Sequence, residues 1–129
     1  MPPRNLYERT RLFALAVFQF CRQLPGTKEA QEPASQLRRA ANSMRTNYRA
    51  ARRGRSRSEF IAKLGTVFEE ADECMDWLTY FRDTRMRHDA ALLQEAEELA
   101  RIFGAAVKTA RGRRMHDRAG RGEGDSRCR

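Results

Sequence analysis

The 28 residues from Ser56 to Asp83, SRSEFIAKLGTVFEEADECMDWLTYFRD, hold one glycine and no proline, and their apolar side chains return every three or four positions. Phe60, Leu64, Val67, Ala71, Cys74, Leu78 and Phe81 fall on one line of a helix, and Ile61, Phe68 and Met75 on a second line beside it. Ser56, with Glu59 three residues on, forms a capping box that starts the helix near Arg57. So wide an apolar stripe marks the most buried helix of a bundle, or one shared with another subunit.

On the N-terminal side Gly54 breaks the pattern, and a second helix precedes it with Leu37, Ala41, Met44, Tyr48 and Ala51 as a narrow, alanine-rich stripe. Its start is expected near Pro33, a residue tolerated in a first turn. The chain has four prolines, at 2, 3, 25 and 33, so nothing after Pro33 obliges a helix to stop. A first helix should begin near Asn5, whose side chain caps while Glu8 reaches back. Leu6, Phe13, Val17, Phe20 and Leu24 share its face, and Pro25-Gly26 ends it. Beyond the turn Thr84 to Asp89, Leu92, Ala96, Leu99, Phe103, Ala106 and Ala110 define a fourth helix, with Leu93, Ala100 and Val107 alongside, to about Arg111. No period-two alternation flanked by turn residues competes with these helices. Short connections make neighbours antiparallel, so the expectation is an all-α, up-down-up-down antiparallel four-helix bundle over residues 1–111. Residues 112–129, GRRMHDRAGRGEGDSRCR, read as a disordered Arg/Gly-rich basic tail.

Hydrophobic residues make up 40% and charged residues 33% of the chain, too apolar for a disordered protein and too interrupted for a membrane span. The apolar patch Leu12 to Phe20 is followed by Arg22 and Gln23 where a signal peptide would carry a small-residue cleavage site. The three cysteines, Cys21, Cys74 and Cys128, show no CxxC or Cys/His metal spacing, in keeping with a reducing, cytoplasmic setting. His88 and His116 stand apart from any cysteine and read as structural or surface residues. No nucleophile with its base, phosphate-cradling glycine loop or cofactor motif occurs at a recognisable spacing, and no enzyme is expected. Glu69, Glu73 and Asp76 lack the Glu-x-x-His partner of a di-metal bundle, so no metal site is expected either.

The formal charge of +9 is local. Residues 33–58 carry eight arginines and no acid, whereas residues 59–110 carry eleven acids against six bases. Arg38, Arg45, Arg49 and Arg52 fall on one ridge of the second helix beside its apolar stripe, Arg39 and Arg53 flank it, and Arg55 and Arg57 belong to the turn. Like charges repel along such a ridge, so counter-charge must lie close. It comes from nucleic-acid phosphates, from the acidic faces of helices three and four of the same subunit, where Glu69, Glu70, Asp72, Glu73 and Asp76 can satisfy several arginines, or from those faces of a neighbour. Arginine suits bidentate contact with phosphate and carboxylate alike.

Ser35-Gln36-Leu37-Arg38-Arg39-Ala40-Ala41, then Ser43 and Asn47, then Ser58-Glu59-Phe60-Ile61, Leu64, Ala71, Glu73 and Leu78 carry a resemblance. Over about residues 5–110 the chain resembles the four-helix bundle proteins encoded by intervening sequences in bacterial 23S ribosomal RNA genes, the S23 family. Where members typically read SIPSNIAEG, this chain reads SMRTNYRAA from Ser43 to Ala51, so that Arg45 replaces Pro and Arg49-Ala50-Ala51 replaces Ala-Glu-Gly. The family is similar to the accessory proteins of diversity-generating retroelements, pentameric barrels whose basic surface engages nucleic acid and a partner reverse transcriptase. That resemblance implies a homopentamer with helices two and three at or near the subunit contacts.

Two functions stand open at this level. One is a nucleic-acid-binding accessory module in which Arg38, Arg45, Arg49, Arg52, Arg53, Arg55 and Arg57 hold phosphates without reading bases. The other is a protein-interaction scaffold whose arginines pair with acidic residues of a neighbouring subunit or partner.

Overall fold

The computed structural model describes residues 5–120, with side chains through Gly112. It contains α1 (Leu6–Arg22), α2 (Lys28–Arg52), α3 (Arg57–Asp83) and α4 (Ala90–Gly120). Each helix packs on the next in the chain, α1 and α4 meet along a thinner seam that closes the ring, and among the described residues the diagonal helices keep their backbones apart and meet only through side chains in the core. This is the up-down-up-down bundle that short connections between amphipathic helices produce.

The start of α1 follows the expected cap in part. Asn5 Oδ1 accepts the Glu8 N–H at 3.0 Å. Glu8 does not reach back, because its carboxylate is taken by Arg11 at 2.6 Å on the same face. The helix stops at Arg22, two residues before Leu24, as the N–H groups of Gln23 and Leu24 turn back to the carbonyls of Phe20 and Cys21. Leu24 is buried all the same.

Helix α2 begins at Lys28, five residues earlier than Pro33 suggests, because Thr27 Oγ1 caps the Ala30 N–H at 3.3 Å. Pro33 therefore sits inside the helix, buried, and leaves only the Glu29 carbonyl without its ladder partner, close to the helix start. Its core face is built from Ala30, Ala34, Leu37, Ala40, Ala41 and Met44, all fully buried. Small side chains let the neighbouring helices approach closely.

Helix α3 lies between α2 and α4, which explains its wide stripe. Leu64, Val67, Ala71, Cys74, Leu78 and Phe81 are buried, while Phe68 and Met75 are half-buried at the edge. Across the α3–α4 seam, a Cβ placed on Gly104 would meet the Phe68 ring at 3.0 Å, so glycine sets that approach. Phe20 and Phe81 meet edge to face at 5.5 Å, and Tyr48 packs on Phe103 at 5.3 Å.

Two ends of helices are unusual. After α3, Arg85 takes a left-handed conformation (φ 63°), and the N–H groups of Arg85 and Met86 bond the carbonyls of Arg82 and Phe81. This is a Schellman motif with arginine where glycine is usual. Helix α4 runs to Gly120, nine residues past its expected stop at Arg111, so the first half of the segment read as a disordered tail is helical. The rest of that tail, 121–129, lies outside the described residues.

Candidate nucleic-acid interface

The basic segment does not act as one ridge. Arg39 points across to α3, where its guanidinium meets Glu73 at 3.0 Å and Glu70 at 3.7 Å. Glu70 also accepts from Ser43 Oγ at 2.9 Å, and Asn47 Nδ2 donates to both the hydroxyl and the carbonyl of Ser43. Trp77 Nε1 donates to Glu73. Ser43, Asn47 and Glu73, three of the residues that carry the family resemblance, thus belong to a hydrogen-bonded tie between α2 and α3.

None of the other arginines of this segment shares that arrangement. Among the described residues, no carboxylate lies within 4.0 Å of the guanidinium of Arg38, Arg45, Arg49, Arg52, Arg53, Arg55 or Arg57. Arg38 is half-buried against α1, in a groove with Phe18, Cys21 and Gln31. Beside it, burial pushes the Cys21 thiol up, and the Arg38 charge pulls it back in part. Arg45 donates to Asn42 Oδ1 at 3.2 Å. Arg55 is exposed, its backbone N–H held by Glu59 Oε1 at 2.8 Å, and Arg57 lines a separate cleft between α3 and α4 with Phe60, Ile102 and Thr109.

Arg49, Arg52 and Arg53 come together. Spaced three and four apart, they share a face of the last turn of α2 and line a groove of about 310 Å³ with Tyr7 of α1. The C-terminal end of the α2 dipole favours cations there, yet by itself it offsets only about half a charge. Tyr7 escapes a linear reading because it lies more than forty residues away from these arginines. Only the antiparallel pairing of α1 and α2 puts the start of one beside the end of the other. Arg57 opens α3 at this same end of the bundle, and Arg111 lies over Gly65, its Nη2 3.4 Å from where a Cβ would stand.

Acidic and apolar features lie elsewhere. Arg9 clamps Glu95 with two bonds of 2.8 and 3.0 Å across the α1–α4 seam, which raises the Arg9 pKa. Leu12, Leu15 and Phe18 of α1 stand about half exposed. Among the described residues, no three His, Cys, Asp or Glu side chains converge on a metal position, and no helix is long and apolar enough to cross a membrane.

A family model for 23S rRNA-intervening sequence proteins matches residues 4–105. The crystal structure of a protein of unknown function from the S23 ribosomal protein family of Bacteroides thetaiotaomicron superposes on the chain with a TM-score of 0.72. The two are 22% identical, over 79% of this chain and 97% of that one, a likeness in fold. No curated protein matches the chain.

Proposed function

The chain belongs to the 23S rRNA-intervening sequence protein family, and from that premise we propose that it is a non-enzymatic module that binds the backbone of a nucleic acid. The observation that supports this reading is the division among its arginines. Arg39 uses the acidic residues of α3 that face α2, and the remaining seven have no carboxylate of the described residues within ion-pair distance. Five of the seven, Arg49, Arg52, Arg53, Arg55 and Arg57, are exposed and gathered at one end of the bundle, where such guanidinia attract a polyanion and phosphates answer the repulsion between them. Contacts of this kind fix position and carry no sequence information. The α4 extension adds Arg113, Arg114 and Arg118 to the chain's basic content, against Asp117.

Fluorescence anisotropy with a labelled RNA duplex tests the reading. Affinity should fall steeply between about 50 and 200 mM salt, with log K linear in log salt. Reversal of Arg49, Arg52 and Arg53 to Glu should abolish binding and leave the helical content unchanged. Retained binding by that variant would end the proposal.

A second reading, assembly into a scaffold oligomer, draws support from a different observation. Leu12, Leu15 and Phe18 offer an apolar face on α1, a helix other than those the family resemblance points to. In that reading α1 makes the subunit contact, and Leu12→Glu with Phe18→Glu converts the multimer measured by light scattering into a monomer.

A further inference from the structure

We propose that the groove between Tyr7 and Arg49, Arg52 and Arg53 seats one unpaired nucleotide of a nucleic-acid strand, its phosphate on the guanidinia and its base on the Tyr7 ring. The proposal rests on the nucleic-acid reading above and adds to it the kind of strand that is held.

Three observations carry it. The groove has about 310 Å³ of space, at the small end of the roughly 300–1,000 Å³ range of ligand clefts, which suits one nucleotide unit and not a duplex. Its three arginines are exposed and, among the described residues, without a carboxylate partner. Tyr7 is half-buried, and among the described residues neither another aromatic ring nor a guanidinium covers its ring. An aromatic face beside a cluster of cations is the arrangement by which single strands are held: bases stack on the ring while the backbone lies on the charges. A base inside a duplex has both faces covered by its neighbours and cannot use such a ring.

The local structure holds Tyr7 in place. It is the second residue of α1, two positions past the Asn5 cap, and its carbonyl accepts the hydroxyl of Thr10, a fully buried residue, at 2.8 Å. The three arginines are placed by the helical spacing of α2. Nucleotide and protein therefore meet across two helix ends that the bundle itself aligns.

The test uses the whole chain and three probes: a blunt RNA duplex, the same duplex with a single-stranded overhang, and free ATP as competitor. The overhang should bind at least fivefold tighter than the blunt duplex, the low end of what stacking one base contributes. Tyr7→Ala should erase that difference while blunt-duplex affinity stays, and Tyr7→Phe and Tyr7→Trp should keep it, which separates stacking from a fault in folding. Equal affinity for the two duplexes, or a Tyr7→Ala variant that keeps the preference, overturns the proposal. If Tyr7→Ala is silent but the Arg49/Arg52/Arg53 reversal abolishes all binding, this seat fails and the backbone reading stands; if the reversal also leaves binding intact, both fail. ATP that displaces the overhang with the same dependence on Tyr7, at concentrations near those of the strand, would mean a free-nucleotide site and also overturns it.

Discussion

Arg39 Nη2 lies 3.0 Å from Glu73 Oε2 across the α2–α3 seam, and this one pairing divides the basic segment in two. On one side is an arginine tied into the fold by carboxylates; on the other are arginines without such a partner among the described residues, of which Arg49, Arg52, Arg53, Arg55 and Arg57 are exposed. Arg39→Ala should lower the midpoint of thermal unfolding by a few degrees, corresponding to about 1 kcal/mol at most, since the pair is partly exposed. It should leave the affinity for RNA almost unchanged. Circular dichroism melts and anisotropy on the same variant check both halves, and a large loss of affinity would place Arg39 on the binding surface instead.

The same tie makes Ser43 a structural residue. Its hydroxyl donates to Glu70 at 2.9 Å and accepts from Asn47 at 3.0 Å, so Ser43→Ala removes a donor from a largely buried carboxylate and an acceptor from Asn47. Loss of one such bond costs about 1 kcal/mol, and more where a buried group is left unsatisfied. Urea unfolding should show a lower midpoint with an unchanged slope. A Glu70→Gln variant should soften the effect of Ser43→Ala, because the double change removes a largely buried charge that has lost its hydroxyl donor and keeps only Arg39, at 3.7 Å.

Much of the bundle is legible in the sequence, and where the structure departs from it the causes are physical. The stripe of α3 specified its burial because periodicity reports the face that must leave water. The start of α2 differs from the one Pro33 suggests because a proline is tolerated in a first turn, whereas the cap that begins the helix is a single hydroxyl, that of Thr27. The charge of residues 33–58, eight arginines and no acid, is plain in the sequence, but composition treats all arginines alike. Which helix face meets α3 separates Arg39 from Arg49, and that depends on the rotation of α2 within the bundle. Tyr7 could be found only through the antiparallel topology, since no local pattern links it to α2.

Arg85 offers a way to stabilise the protein. Its left-handed conformation costs a residue with a Cβ about 1–2 kcal/mol, and glycine adopts it freely. Arg85 is exposed and makes no ion pair among the described residues, so Arg85→Gly loses little contact. The variant should melt several degrees higher. A lower melting temperature would mean that its side chain contributes contacts beyond the turn.

Cys74 should make the protein fragile in alkali. It is fully buried on α3, and burial first, then the neighbouring Glu70 and Glu73 carboxylates, push its thiol up, with Arg39 opposing. A thiol that ionises more readily in the unfolded chain stabilises the fold fully below its ordinary pKa of about 8.5. As pH rises above that value the unfolded chain releases its proton first, so stability falls by about 1.4 kcal/mol per pH unit for each such thiol until the folded value is reached. Cys21 is shifted in the same direction and adds to the slope. Tyr48, also raised by burial, has the same sign but ordinarily titrates near pH 10, which leaves the window from about 8.5 to 10 to the thiols. Cys74→Ala should cost about 1–2 kcal/mol at neutral pH through the lost packing, and in return flatten the fall in stability across that window. Chemical unfolding at several pH values measures the slope directly. An unchanged slope in the Cys74→Ala, Cys21→Ala double variant would mean that the alkaline loss comes from other groups and that neither thiol is held as far from water as its place in the core implies.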